Sequence, residues 1–199
     1  MICAVILAAG NSSRMGSPKA VLGYQGKTFL EIIISELKKA GIKEIIVVLG
    51  KDKDKIFEKW KPSNEKVIFN DKPELGQIHS LRLALAESGE RDIMICLADQ
   101  PLIKFETYKK ISDFFFENKN SIVIPKCLKE YSPGDIRYKR GHPIIIPNIY
   151  KKLCFEGPIE KGLHWVTHHS GVKVLDVEVS DGGILKDFDT PQDYFSLKR

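Results

Sequence analysis

Residues Leu7 to Lys19 read LAAGNSSRMGSPK and follow directly on the apolar run Ile2-Cys3-Ala4-Val5-Ile6. A buried strand that empties into a loop of small residues is the signal from which the rest is read. Arg14 and Lys19 are the loop's only charges. Gly10 and Gly16 allow positive φ and close backbone approach, so several N–H groups can point at one anion. A planar guanidinium and a mobile ammonium then supply the remaining positive charge. The combination suits the phosphates of a nucleoside triphosphate.

Neither familiar phosphate-loop pattern is present. GxGxxG is absent after the first strand, and Walker A needs a glycine where Val21 stands ahead of Gly26-Lys27-Thr28. That tripeptide reads instead as a turn into a helix N-cap. The competing view of residues 7–19 is an ordinary connection between strand and helix. Two glycines, an arginine and Pro18-Lys19 behind an apolar strand favour phosphate binding.

The chain has 199 residues, enough for one domain (1–199) with a full core and no disulfides. With 43% hydrophobic and 29% charged residues it has the composition of a soluble globular protein. The N-terminus lacks the basic-then-apolar layout of a signal peptide, which leads to the expectation of a cytoplasmic protein. Cys3, Cys96, Cys127 and Cys154 form no CxxC pair, so neither a zinc knuckle nor a redox motif is suggested. A net charge of +5 fits anionic substrates but is too diffuse for nucleic acid.

Strand-like and helix-like segments alternate along residues 2–124. Strands are expected at 2–7, 45–49, 67–69, 92–97 and 122–124. Helices are expected after Thr28-x-x-Glu31 (a capping box), around 52–60, just after Gly76 and over 105–117. This βαβ rhythm predicts an α/β fold with a mostly parallel sheet and helices on both faces. Ligands of such sheets bind beyond the carboxyl ends of the strands, where loops 8–19, 70–80 and 98–103 fall. After residue 125 the rhythm changes. Residues 126–142 predict a loop or small hairpin over the site, Pro143–Pro147 a short strand, and 172–179 an edge or antiparallel strand. Thr190-Pro191-x-Asp193 opens a last helix.

Leu97-Ala98-Asp99-Gln100-Pro101 places a lone acid after a buried strand, across the expected crevice from Arg14 and Lys19. Triphosphate chemistry uses Mg2+, a hard cation that accepts one or two carboxylates and leaves its other positions to phosphate and water. Asp99 suits that role better than a turn cap, because cationic phosphate ligands share the site. Alternation sends Asp187 and Asp189 to one side of an extended segment. Each suits a second metal carboxylate and a cap for the helix at Thr190 equally well.

Taken together, these residues resemble the MobA-like nucleotidyltransferase family, and within it the molybdenum cofactor cytidylyltransferases. The resemblance runs through Leu7-Ala8-Ala9-Gly10, Arg14-Met15-Gly16, Pro18-Lys19, Gly76-Gln77-x-x-Ser80-Leu81 and Leu97-Ala98-Asp99-Gln100-Pro101. It continues in Gly141-His142-Pro143 and Asp187-Phe188-Asp189-Thr190-Pro191. It implies a three-layer Rossmann-like nucleotidyltransferase fold, mostly parallel, with a small antiparallel C-terminal part. It implies transfer of a nucleotidyl group to a phosphorylated acceptor, with release of pyrophosphate. Leu7, Ala8, Ala9, Gly10, Arg14, Lys19, Gly76 and Ser80 would hold the nucleotide. Arg14, Lys19 and Asp99 would be catalytic, and Asp99 with Asp187 would bind Mg2+. Gly141 and His142 would face the acceptor. An LAAG start, with Ala9, is associated with CTP; molybdopterin would be the acceptor, and a molybdenum hydroxylase or its maturation factor the partner.

One element departs from the family pattern. Glu160-Lys161-Gly162-Leu163-His164 stands where relatives carry Gly-Asp-x-Gly-x-Arg, and histidine cannot reproduce a guanidinium fork. Two other readings therefore stand beside this one: transfer to another phosphorylated metabolite such as a sugar 1-phosphate, and a non-catalytic nucleotide-binding accessory protein. His164, His168 and His169 lack the glutamate of HExxH and read as a polar helix face rather than a zinc site. Trp60 and Trp165 read as helix-packing residues.

Overall fold

The opening apolar run forms β1 (Ile2–Ala8), whose first six residues are all buried. A strand buried on both faces belongs inside a parallel sheet, and β1 lies there. The computed structural model describes residues 1–10, 12 and 14–197. Behind the first loop, β2 (Gly23–Tyr24) and β3 (Lys27–Thr28) make a two-stranded hairpin, with positive φ at Gln25 and Gly26 as such a turn requires. Thr28 then caps α1 (Phe29–Lys39): its hydroxyl accepts from Glu31 N (3.2 Å), and the Glu31 carboxylate accepts from Thr28 N (2.7 Å). The expected capping box is there, and Gly26-Lys27-Thr28 is a turn and a cap.

The alternation continues as expected through β4 (Glu44–Leu49), α2 (Lys53–Lys59), β5 (Lys66–Phe69), α3 (Gln77–Glu87), β6 (Asp92–Leu97) and α4 (Phe105–Glu117). Then come β7 (Ile122–Ser132), β8 (Asp135–Arg140), β9 (Ile144–Ile146), α5 (Lys151–Glu156), α6 (Gly162–Thr167), β10 (Val174–Glu178) and α7 (Pro191–Leu197). The main sheet runs β10-β7-β9-β6-β1-β4-β5, with β8 paired to β7. It is parallel except at β9, antiparallel to both β6 and β7, and at β8.

Of the two alternatives for residues 172–179, edge or antiparallel, the structure shows the first: β10 is an edge strand and runs parallel to β7. Alternation reports which faces a strand shows, not the direction of its partner. Residues 126–140 do form a hairpin, and β7 extends to Ser132 because β8 supplies its ladder. The hairpin does not line the cleft described below.

Odd and even positions of the central strands feed two cores. Ala4, Ile6, Val47 and Cys96 meet Leu30, Ile33 and Leu37 of α1 and Tyr108, Ile111 and Phe115 of α4. On the other face Val5, Leu7, Val48 and Ile95 meet Ile78, Leu81 and Leu85 of α3, with Cys154 of α5 and Val166 of α6. The result is three layers. All four cysteines are buried and unpaired. Trp60 is buried and stacks on Phe57, and Trp165 packs against Gly157, so both serve helix packing. Among the described residues no helix is long and apolar enough to cross a membrane.

Candidate active site

Strands β1 and β6 are parallel neighbours with Leu7 opposite Leu97, so the loops that follow them leave the sheet side by side. The first loop is pinned where Pro18, Ala20 and Val21 are buried, and between them stands Lys19. Its ammonium donates to Asp99 Oδ2 (2.9 Å) and to Asp189 Oδ1. The Lys19 and Asp99 side chains are each 20% exposed and that of Asp189 is 45% exposed, so the pair sits at the floor and Asp189 at the rim.

The electrostatics follow from this placement. Burial pushes the Asp99 carboxyl above the usual carboxylate range. Lys19 pulls it back only in part, and the charges of Asp187 and Asp189 push it up further. Burial pulls the Lys19 ammonium down, yet hydrogen bonds to Asp189 and Asp99 outweigh that and leave it raised. The second Asp99 oxygen, Oδ1, is buried without a hydrogen-bond partner. A buried carboxylate oxygen in that state is costly unless something positive or donating reaches it.

A cleft of about 240 Å³ opens over this group. Leu7 and Ala8 line it from the end of β1, Ala9, Gly10 and Lys19 from the first loop, Gly76 and Ser80 from the start of α3, and Asp99 from the turn after β6. Eight residues expected from the sequence thus meet in one place. Gly76 adopts φ +81° as the N-cap of α3, whose first turn supplies N–H groups suited to an anion. The Ser80 hydroxyl is buried and accepts from Asn70 Nδ2 (2.8 Å), while Asn70 Oδ1 accepts from Lys72 N. A buried amide therefore ties the loop after β5 to α3.

Other expected residues stand elsewhere. Arg14 is exposed and outside the lining of the cleft; its neighbours Asn11 and Ser13 lie outside the described residues. Asp187 is exposed, and its Oδ1 accepts from Gln100 Nε2 (2.7 Å), which also donates to Ile184 O (3.2 Å). Asp189, not Asp187, shares the Lys19 ammonium with Asp99. Gly141 and His142 also fall outside the cleft lining and pack on the segment before Asp187. A Cβ at Gly141 would lie 2.1 Å from Ile184 O, and His142 N donates to that same oxygen (3.3 Å). Burial lowers His142 to about 4, against the pull of Asp99.

Sequence reading did not single out Gln100, Asn70 or Gly50 for the site. Gly50 follows β4, and a Cβ there would meet Ala9 O at 2.7 Å. A glycine at a strand end and a buried amide are the only signals these positions carry. His164 and His168 stack with ring centroids 3.7 Å apart. Among the described residues no group of three or more His, Cys, Asp or Glu is arranged to hold a metal.

Comparison with known proteins adds a family, a curated relative and three solved structures. The MobA-like NTP transferase domain matches residues 4–173. The Bifunctional protein GlmU of Clostridioides difficile (strain 630) is 37% identical over 119 residues, 58% of this chain and 26% of that protein. The chain thus spans about a quarter of that curated relative. The crystal structure of Rv0371c from Mycobacterium tuberculosis H37Rv superposes with a TM-score of 0.78 at 26% identity, covering 98% of this chain and 96% of that one. Its complex with manganese gives 0.71 at 26% identity, covering 98% and 97%. A nucleotidyl transferase from Methanothermobacter (Mth528) shares the fold, with a TM-score of 0.78 at 24% identity over 99% of this chain and 95% of that one.

Proposed function

The chain belongs to the MobA-like NTP transferase family, and from that premise we propose that it moves a nucleotidyl group from a nucleoside triphosphate to a phosphorylated small-molecule acceptor, releasing pyrophosphate. The observation that supports this is the meeting of Lys19, Asp99 and Asp189 at one end of a cleft bordered by Gly10 and Gly76. A cation between two carboxylates, next to backbone N–H groups, suits a site that handles phosphate and metal together.

In the reaction an acceptor phosphate oxygen attacks the α-phosphorus. The bond from that phosphorus to the bridging oxygen breaks, and pyrophosphate departs with the electron pair. The second pKa of a phosphate monoester lies near 6, so the attacking group is already dianionic at neutral pH and needs no general base. What remains is to hold two anions in line and to neutralise charge on the leaving group. Lys19 does the second at the cleft floor; Arg14, on the exposed turn before Gly16 and outside the cleft lining, would have to swing in to add its charge. The N-terminal turn of α3, with Ser80 behind it, borders the nucleoside.

The residues fit a divalent cation, because Asp99 Oδ1 is buried with no partner and carboxylate oxygens are the ligands that Mg2+ prefers. Asp99 and Asp189 would hold it, with Asp187 beside them on Gln100. Bound there, it would supply charge neutralisation at the triphosphate. The relative solved with manganese supports the same reading.

For the finer assignment, the Leu7-Ala8-Ala9-Gly10 start supports CTP, and the ordered motifs of the chain support molybdopterin as acceptor. A molybdenum hydroxylase, or a factor that matures one, would then receive the product. The test is a matrix of CTP, GTP, ATP and UTP against molybdopterin and sugar 1-phosphates with Mg2+, followed by pyrophosphate release. Release with CTP and molybdopterin alone is expected. Release only with a sugar 1-phosphate reassigns the acceptor, and none with any pair removes the transferase reading.

A further inference from the structure

One ammonium joins carboxylates that come from distant parts of the chain. Lys19 lies 80 residues from Asp99 and 170 from Asp189, and its Nζ hydrogen-bonds to both. Two carboxylates this close repel unless a cation stands between them. We propose that in the nucleotide-free protein the Lys19 ammonium occupies the place between Asp99 and Asp189 that a divalent cation takes in the loaded one. Free metal is then held off until the phosphates of the nucleotide draw Lys19 away.

Three further observations support the exchange. The backbone around Lys19 is fixed by buried Pro18, Ala20 and Val21 and by a hydrogen bond from Lys19 N to Ser12 Oγ (3.2 Å), so only the side chain has to move. That side chain is a flexible stem ending in a compact charge, able to leave one anion for another without the geometric demands of a guanidinium. The cleft lining places Gly10 and Ser12 in the same pocket as Lys19, so an entering triphosphate meets the ammonium as it meets the backbone. Metal and nucleotide then bind with positive coupling, and the coupling is equal in both directions. The inference rests on the transferase reading only in taking Asp99 and Asp189 as the cation-binding carboxylates.

The experiment titrates the whole protein with Mn2+ and reads the free ion by electron paramagnetic resonance, first without nucleotide. Lys19→Met is compared with the wild type, and Lys19→Gln is the second variant should the first lose its fold by circular dichroism. The expected result is Mn2+ binding tighter by about tenfold or more in the Lys19 variants, a gain removed by adding Asp189→Asn. In the wild type, CTP should raise Mn2+ affinity by a similar factor. Equal Mn2+ affinity in the wild type and both Lys19 variants, or no Mn2+ binding in any of them, overturns the proposal. A gain in the variants from a protein that releases pyrophosphate with no acceptor upholds this inference while removing the transferase reading. Pyrophosphate release by the wild type without such a gain does the reverse.

Discussion

The backbone N–H of Phe188 donates to the carbonyl of Asp99 at 3.2 Å. The segment that carries Asp187 and Asp189 is thereby sewn to the turn beyond β6. Phe188 itself is fully buried and lies 5.5 Å from the ring of Phe29, between two acids that face the other way. One aromatic side chain in the core therefore decides where two carboxylates stand.

Truncating that anchor should be costly. Phe188→Ala removes a fully buried ring and is expected to lower stability by about 3–5 kcal/mol. A denaturant midpoint within experimental error of the wild type would contradict the anchoring role. Phe188→Leu, which keeps most of the volume, should recover much of the loss.

Lys19→Ala or Asp99→Ala should reduce turnover by about a hundredfold or more while the fold persists. Both side chains lie at the cleft rather than in either hydrophobic core, so circular dichroism should stay close to wild type, while losing one partner of the Lys19–Asp99 pair lowers the unfolding midpoint. Near-normal pyrophosphate release by both variants would defeat their assignment.

Gly50 bears on the cleft without lining it. Gly50→Ala places a methyl carbon 2.7 Å from Ala9 O, closer than such atoms come, and that oxygen belongs to rigid backbone. The loop must shift, and nucleotide affinity is expected to fall by about tenfold, read as a smaller thermal shift on adding CTP and Mg2+. An undiminished shift would show that residues 8–10 do not depend on this contact.

His142 should leave a mark on the pH dependence of stability. Its pKa is about 4 in the folded protein, lowered by burial from the ordinary 6.5. Between those values the unfolded chain binds more protons, so this residue makes stability rise with pH from about 4 to 6.5 and level off above. The unfolding free energy of the wild type minus that of His142→Gln should climb over that window. A flat difference would place the imidazole in solvent.

The βαβ half was legible because its signals are local. Apolar strand runs, the Thr28–Glu31 capping box and Thr190 ahead of Pro191 each state their structure within a few residues. The meeting of Lys19 and Asp99 was also legible, since loops after strands of one parallel sheet leave at the same edge. The parallel direction of β10 was not, because alternation is blind to it. Nor was the choice of Asp189 over Asp187 as partner of Lys19, which depends on Gln100 claiming one acid and on Phe188 setting the turn. Such contacts join residues 80 or more apart, and no short-range pattern encodes them.

The bond between Lys19 and Asp189 closes a circuit of 170 residues. That circuit cannot close before β1 and β6, themselves 90 residues apart (Ile2 opposite Asp92), have paired and brought Lys19 and Asp99 to one edge. During refolding, ligand affinity should therefore not precede assembly of the central strands. A mutation that loosens α7 should silence the cleft before it melts the sheet.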